Sequence, residues 1–280
     1  MFLKIIEKFF AQKSLIALVL MKLLKKYKYF KISTEVKFNL NLNPAYAHCM
    51  YHSALLAKKL NIKKISVLEF GVAGGNGIIQ IEKIAKKILN ELHVEFEVYG
   101  FTLKDGLSNP VDYKDLPYWW DAGLYPTSTV DLESKIKQNT KIIYGDVKDT
   151  TKTFFEKFNP APIGVILNDL DYFSSTFNSF QIFDHKDNFY LPRIFCYFDD
   201  IIGSENEMFN DFTGELQAIK KFNENNSKKK ICLNRNLIPN SYENWRYQIY
   251  YYHSFSHKNY NDYIGDSAQK EINDELRLKV

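Results

Sequence analysis

Four aspartates stand where two apolar runs end. Asp169 and Asp171 follow residues 163–167 (IGVIL), and Asp199 and Asp200 follow residues 193–198 (RIFCYF). Short apolar runs of this kind read as buried strands. If the two strands are neighbours, their ends stand about 5 Å apart. They would then share the carboxyl edge at which open α/β sheets bind ligands. Asp169, Asp199 and Asp200 converging there would repel one another and raise their pKa values unless a cation sat between them. Hard oxygen donors with room for water suit Mg²⁺. A structural alternative stays open: Asp169 or Asp171 caps the following helix, and one of Asp199 and Asp200 faces solvent.

A second constellation lies at residues 65–76 (ISVLEFGVAGGN), where an apolar run carries Glu69 two residues ahead of Gly71, followed by Gly74, Gly75 and Gly77. An acid followed by G-x-x-x-G at the end of a first strand is the pattern of S-adenosylmethionine (SAM) enzymes. The competing dinucleotide fingerprint, G-x-G-x-x-G, fits GVAGGNG poorly. A neighbouring acid also suits a cationic or amine-bearing ligand better than a pyrophosphate, which wants helix N–H groups free of negative charge. A strand, turn and helix with no ligand is the plain alternative.

The elements that must position these residues follow in order. Asn43-Pro44 opens a helix to about residue 60, with Asn as N-cap and Pro at the first helical position. His48 and His52 lie one turn apart on it, but no third ligand accompanies them, so they read as packing residues. A second strand, 95–101, ends at Thr102, the position at which nucleoside-binding folds place an acid for the ribose; Lys104 and Asp105 follow. The polar and aromatic stretch 106–126, with Trp119-Trp120, reads as a lid or recognition loop, or as a plug on the sheet edge. A helix at 131–138, a strand at 141–144 with the turn Gly145-Asp146-Val147, and helices at 150–157, 175–183 and 213–225 complete an alternating pattern. A sixth strand starts at 228, and a seventh, 248–253, pairs with it antiparallel. The expected fold is α/β and Rossmann-like: a seven-stranded, mostly parallel sheet with an antiparallel last strand and helices on both faces. Residues 43–265 form the domain, 1–42 a helical extension and 266–280 a tail.

Composition narrows the classes. The 280 residues are 45% hydrophobic and 25% charged, with a net charge of +4, too balanced to argue for nucleic acid. Three scattered cysteines, Cys49, Cys196 and Cys232, form neither a zinc spacing nor a disulfide framework and fit a reducing cytoplasm. Residues 1–29 mix lysines with apolar residues, and their uncharged run at 14–21 is far short of the roughly 20 residues of a membrane span. They read as an amphipathic helix packed on the domain or a second subunit. The alternative is a basic helix lying on the inner face of the membrane. Expected partners are a small-molecule or glycan acceptor and further copies of the chain in a homo-oligomer.

The run Glu69-Phe70-Gly71-Val72 with Gly75, the D-x-D-x-x-x-S-T run of Asp169, Asp171, Ser175 and Thr176, and Asp199-Asp200 together resemble the macrocin-type sugar O-methyltransferases. From Pro44 to Tyr260 the chain is also similar to a bacterial group of class I SAM methyltransferases, through FGVAGGNG, DYKDLPYWW, DLDYFSST, CYFDDIIG and FTGEL. The resemblance implies a class I methyltransferase fold and a SAM site at Glu69, Gly71, Ala73, Gly75, Asn76, Thr102, Asp105 and Asp146. It also implies Mg²⁺ on Asp169, Asp199 and Asp200, and a sugar hydroxyl as acceptor in surface-polysaccharide or glycoside synthesis. A catechol-like or phosphorus-linked acceptor, or a silent scaffold role, are the alternatives. Candidates to take the acceptor's proton are Asp169, Asp171 and, more distantly, His253 at the end of the last strand. Trp119, Trp120 and Tyr172 are candidates to line a dry pocket. Thr102 departs from the family, which usually carries an acid there, so that Asp105 or water substitutes for it or affinity for the cofactor is lower.

Overall fold

A computed structural model describes residues 30–137, 139–239 and 243–265. Seven strands form one sheet in the order β3-β2-β1-β4-β5-β7-β6. They are β1 (Lys64–Phe70), β2 (Glu95–Thr102), β3 (Thr140–Tyr144), β4 (Ile163–Asn168), β5 (Tyr190–Phe198), β6 (Lys229–Leu233) and β7 (Ile249–Ser254). The first five are parallel, and β7 runs antiparallel to both β5 and β6. The chain builds outward from β1 through β2 to β3, then returns to lay β4 and β5 on β1's other side. The order therefore reverses between β1 and β4, and a crevice opens at their carboxyl ends.

Strand alternation divides the core. Ile65 and Val67 of β1 join one apolar cluster, with residues of α2 (Pro44–Lys59) and α3 (Asn76–Leu92). Leu68 and Phe70 face the other, with α5 (Val147–Phe158) and α7 (Gly214–Asn225). Glu69 shares the parity of Ile65 and Val67, so a period of two sends it to the α2–α3 face. Helix α3 buries Ile78, Ile81, Ile84, Ile88 and Leu92, spacings of three and four that align on one helix face. Each such isoleucine contributes roughly 2 kcal/mol of transfer free energy. Helix α2 starts as its sequence dictates: Pro44 occupies the first turn, and the Asn43 side chain accepts the Tyr46 N–H (3.0 Å).

Several boundaries shift for local reasons. Asp146 caps α5 by accepting the Lys148 N–H (2.8 Å), so the helix starts at Val147 rather than 150. The helix expected at 131–138 is α4 (Thr129–Lys135). The one expected at 175–183 is α6 (Phe173–Ser179), continued by a 3-10 turn at Phe180–Phe183. Of the N-terminal extension, α1 (Ile32–Lys37) packs on the domain through buried Ile32 and a Glu35–Lys87 ion pair (2.6 Å). The helix expected within 1–29 and the 266–280 tail lie outside the described residues. No helix among the described residues is long and apolar enough to cross a membrane.

One glycine is fixed by the close pairing of the ends of β1 and β4. Gly71 has φ +93°, and a Cβ there would lie 1.7 Å from the Asp169 carbonyl oxygen. That neighbour is backbone and cannot move aside. Gly71→Ala is expected to destabilise the fold by about 3 kcal/mol or more, measured as the loss in urea-unfolding free energy.

Candidate active site

A cavity of about 450 Å³ opens at the carboxyl edge where the strand order reverses. Its floor is set by backbone bonds between neighbouring strand ends. Gly71 N–H donates to Phe101 O, Asp169 N–H to Phe70 O and Asp199 N–H to Asn168 O, at 2.9, 2.9 and 3.1 Å. These bonds hold Gly71, Asp169 and Asp199 at one level.

Asp169, Asp199 and Asp200 converge as their positions suggested: one carboxylate oxygen from each lies within 4.8 Å of the others. Each acid is placed by a different element. Asp199 accepts from the Tyr197 hydroxyl, and Gln248 donates to its carbonyl (2.7 Å) and side chain (3.3 Å). Asp200 donates its N–H to Glu215 Oε2 (3.0 Å), while its own Oδ2 accepts the Asp171 N–H (3.0 Å). Asp171 adopts φ +60°, a left-handed conformation that Asp tolerates better than most residues. Burial, then the neighbouring charges, pushes Asp169 and Asp200 well above the usual carboxylate range. The same causes raise Asp171 to about 8. Protons or a cation must relieve such crowding.

The residues expected around SAM divide into two groups. Gly71, Ala73, Thr102 and Asp146 line the cavity. Glu69 does not: it lies beneath the turn on the α2–α3 face, accepting the Tyr46 hydroxyl (2.9 Å) on Oε1. Its Oε2 is buried without a partner, and burial raises its pKa to about 8. Gly77 backs directly onto it, and a Cβ there would lie 1.8 Å from Oε1. Gly75 packs against Leu132, and Asn76 is exposed outside the cavity. Asp105 corrects the ribose expectation: it is exposed and outside the lining, because the chain turns back toward the lid after Thr102. The Thr102 hydroxyl pairs with that of Thr127 (2.9 Å), and the lining carboxylate nearest in sequence to β3 is Asp146.

His253 is also corrected. It pairs in register with Arg193 at the start of β5, whereas Ile249 pairs with Tyr197 near the end that carries Asp199. Because β7 is antiparallel, its end lies at the opposite edge of the sheet, about 13 Å from Ile249 at 3.3 Å per residue. There His253 bonds the Tyr260 hydroxyl (2.8 Å). His48 and His52 stack near Phe195 and Trp245, and burial lowers His48 to about 3, a packing role.

The stretch 106–126 is both lid and plug. Trp120 is 8% exposed, lines the cavity and packs with Leu116 and Tyr172, whereas Trp119 is 38% exposed outside it. Tyr172 supports the lid from below, its hydroxyl donating to Ser108 O (3.0 Å). Asp115 pins the stretch to α6 by accepting from Val111 N, Ser174 N and Ser174 Oγ at 2.8, 2.8 and 2.9 Å. Sequence reasoning missed Asp115, Glu207, Glu215, Tyr46 and Tyr197. Only Tyr197, two residues before Asp199 on the same strand face, left a signal in spacing.

No protein-family model and no curated sequence matches the chain. Solved structures do. The O-methyltransferase NovP is similar at 12% identity, over 75% of this chain and 79% of that chain, with a TM-score of 0.50. CalS11, a calicheamicin methyltransferase, is similar at 14% identity, over 84% of this chain and 90% of that chain, with a TM-score of 0.48. The chain thus shares its Rossmann-like fold with the O-methyltransferase NovP. Within this fold the acids occupy the edge at which the open sheet forms a crevice.

The buried Glu69 makes stability depend on pH. Its carboxyl titrates near 4.5 when unfolded and near 8 when folded, so the native state binds the extra proton between those values. Stability from this group is fully present below about pH 4.5 and is lost as pH rises through about 8. In thermal melts from about pH 5 to about 8.5, Glu69→Gln is therefore expected to lose less stability than the unchanged chain.

Proposed function

We propose that this chain is a SAM-dependent O-methyltransferase that uses Mg²⁺ to hold a sugar acceptor, with a role in surface-polysaccharide or glycoside assembly. The observation that carries the reading is the triad of carboxylate oxygens within 4.8 Å, facing a cavity at the strand-order reversal. The donor set fits both groups. Three hard oxygens suit Mg²⁺, and a cavity lined by carboxylates, with no Lys, Arg or His among the described residues that line it, suits an amine-bearing sulfonium ligand. Asp169, Asp199 and Asp200 would hold the metal. Gly71, Ala73, Thr102 and Asp146 would hold the cofactor.

When bound, SAM supplies a methyl group on sulfonium, and Mg²⁺ supplies polarisation of an acceptor hydroxyl. The chain supplies position and dryness. Trp120, Phe209 and Leu107 cover the cavity and exclude water, which favours a transfer in which charge disappears. Asp171 is the residue for the proton. It lines the cavity beside the candidate metal ligands and, deprotonated, would take the proton that the acceptor hydroxyl loses as its oxygen gains the methyl group. This assignment replaces His253.

Asp199→Asn is expected to weaken Mg²⁺ binding and to lower methyl transfer by more than about 100-fold. Affinity for S-adenosylhomocysteine should stay within about twofold. Calorimetry with each ligand and mass gain on an acceptor panel measure these effects. Methyl transfer that survives EDTA removes the metal, and a wild-type chain that binds neither SAM nor S-adenosylhomocysteine removes the cofactor.

A further inference from the structure

We infer that Gln248 is a positioning residue for the metal: with Tyr197 it fixes Asp199 so that two adjacent acids, Asp199 and Asp200, present one oxygen each to the same ion. The inference rests on the metal half of the proposed function and adds to it a residue 49 positions away in sequence.

Adjacency is the obstacle. In an extended chain neighbouring side chains point to opposite faces, so a β5 continued through Asp199 and Asp200 would send only one of them to the ion. Yet one oxygen from each lies within 4.8 Å of the other and of Asp169. The strand ends at Phe198 and the chain turns there. The peptide unit that joins the two acids is held at both ends. Gln248 Nε2 donates to its oxygen, the Asp199 carbonyl (2.7 Å), and its N–H, that of Asp200, donates to Glu215 Oε2 (3.0 Å). A peptide unit is planar, so these two bonds fix the plane from which both side chains depart.

The carboxylates are held in a matching way. Asp199 Oδ1 accepts from the Tyr197 hydroxyl and from Gln248 Nε2 (3.3 Å), and Asp200 Oδ2 accepts the Asp171 N–H (3.0 Å). One oxygen of each acid is thereby engaged, and no described residue donates to Asp199 Oδ2 or Asp200 Oδ1. The Tyr197 ring is itself held in an edge contact with Tyr46, at 5.4 Å between centroids.

Strand direction delivers Gln248 to this place. Because β7 is antiparallel to β5 and Ile249 pairs with Tyr197, the residue before β7 arrives at the edge where β5 ends. Gln248 closes the 3-10 turn Asn244–Gln248 and is 7% exposed. Its chemistry suits the role, as does that of Tyr197. A Lys or Arg here would orient Asp199 but also neutralise it, in competition with the ion. An amide and a hydroxyl are neutral donors, and they orient the carboxylate while leaving its charge to the metal.

The test titrates the full chain with Mg²⁺ by calorimetry. Gln248→Met keeps an unbranched side chain and removes the donor; Tyr197→Phe keeps the ring against Tyr46 and removes the hydroxyl. Each is expected to weaken Mg²⁺ binding by about 10- to 100-fold. Affinity for S-adenosylhomocysteine should stay within about twofold, and the melting midpoint of the metal-free chain within about 5 °C. An unchanged Mg²⁺ Kd in either variant overturns that residue's assignment. A weaker Mg²⁺ Kd with an equal loss of S-adenosylhomocysteine affinity, or with a larger fall in melting midpoint, also overturns it, because the residue then supports the fold at large. A wild-type chain that binds no Mg²⁺ sinks the metal reading instead. Crystal structures of the metal-free wild-type and Gln248→Met chains then still read the positioning: the Asp199 carboxylate is expected to turn away from Asp169 and Asp200 in the variant, and an unmoved carboxylate overturns the inference.

Discussion

Like charges crowded at the ends of β4 and β5 are the constraint to which the rest of the site answers. Asp169, Asp171, Asp199 and Asp200 lie at two adjacent strand ends, and Glu215 is fully buried behind them. Burial and mutual repulsion raise Asp169, Asp171, Asp200 and Glu215. The chain meets part of this cost with directed donors: Asp171 N–H to Asp200, Asp200 N–H to Glu215, and Tyr197 and Gln248 to Asp199. It does not meet all of it. Glu215 Oε1 and Asn168 Nδ2 are buried without partners, and an unmet buried polar atom costs about 1–3 kcal/mol. A fold optimised for stability alone would not gather these groups, whereas a cation among them turns the repulsion into binding energy.

The same logic of concealed acid operates on the other side of the crevice. Glu69 follows strand parity into the α2–α3 layer, where Tyr46 satisfies one of its oxygens. The glycine turn above it then stays free of side chains, because Gly71 is pressed against Asp169 O and Gly77 against Glu69. Glu69 therefore shapes the turn from below. Its motif position is consistent with a cofactor edge, but its contacts are those of a support.

Most of the sheet was legible because buried parallel strands are continuous apolar runs. The acids at 169, 199 and 200 were legible because strand ends and strand neighbours follow from the alternating pattern. What failed did so for physical reasons. His253 was misplaced because being last on a strand says nothing about which edge is reached until strand direction is applied. Asp105 was preferred at the ribose position because it lies close in sequence, but the chain leaves the edge after Thr102 and turns toward the lid. Glu207 and Glu215 were invisible because the segment after β5 returns to the crevice through tertiary contacts. No local period marks that return.

The lid shows why such contacts matter to chemistry. Trp119 and Trp120 are adjacent, yet one is outside and the other forms the wall, a division set by Asp115 anchoring the turn before them to α6. Tyr172 fixes the stretch from below through Ser108, and Tyr118 fixes it sideways to the Glu207 segment. Three anchors, two at the start of α6 and one on the Glu207 segment, hold the stretch that carries Trp120. The wall is thus preorganised, and little ordering entropy falls on the binding step. At the mouth, Tyr125 and Phe209 pack against this anchored cluster, the Tyr125 ring centroid 6.1 Å from that of Trp120.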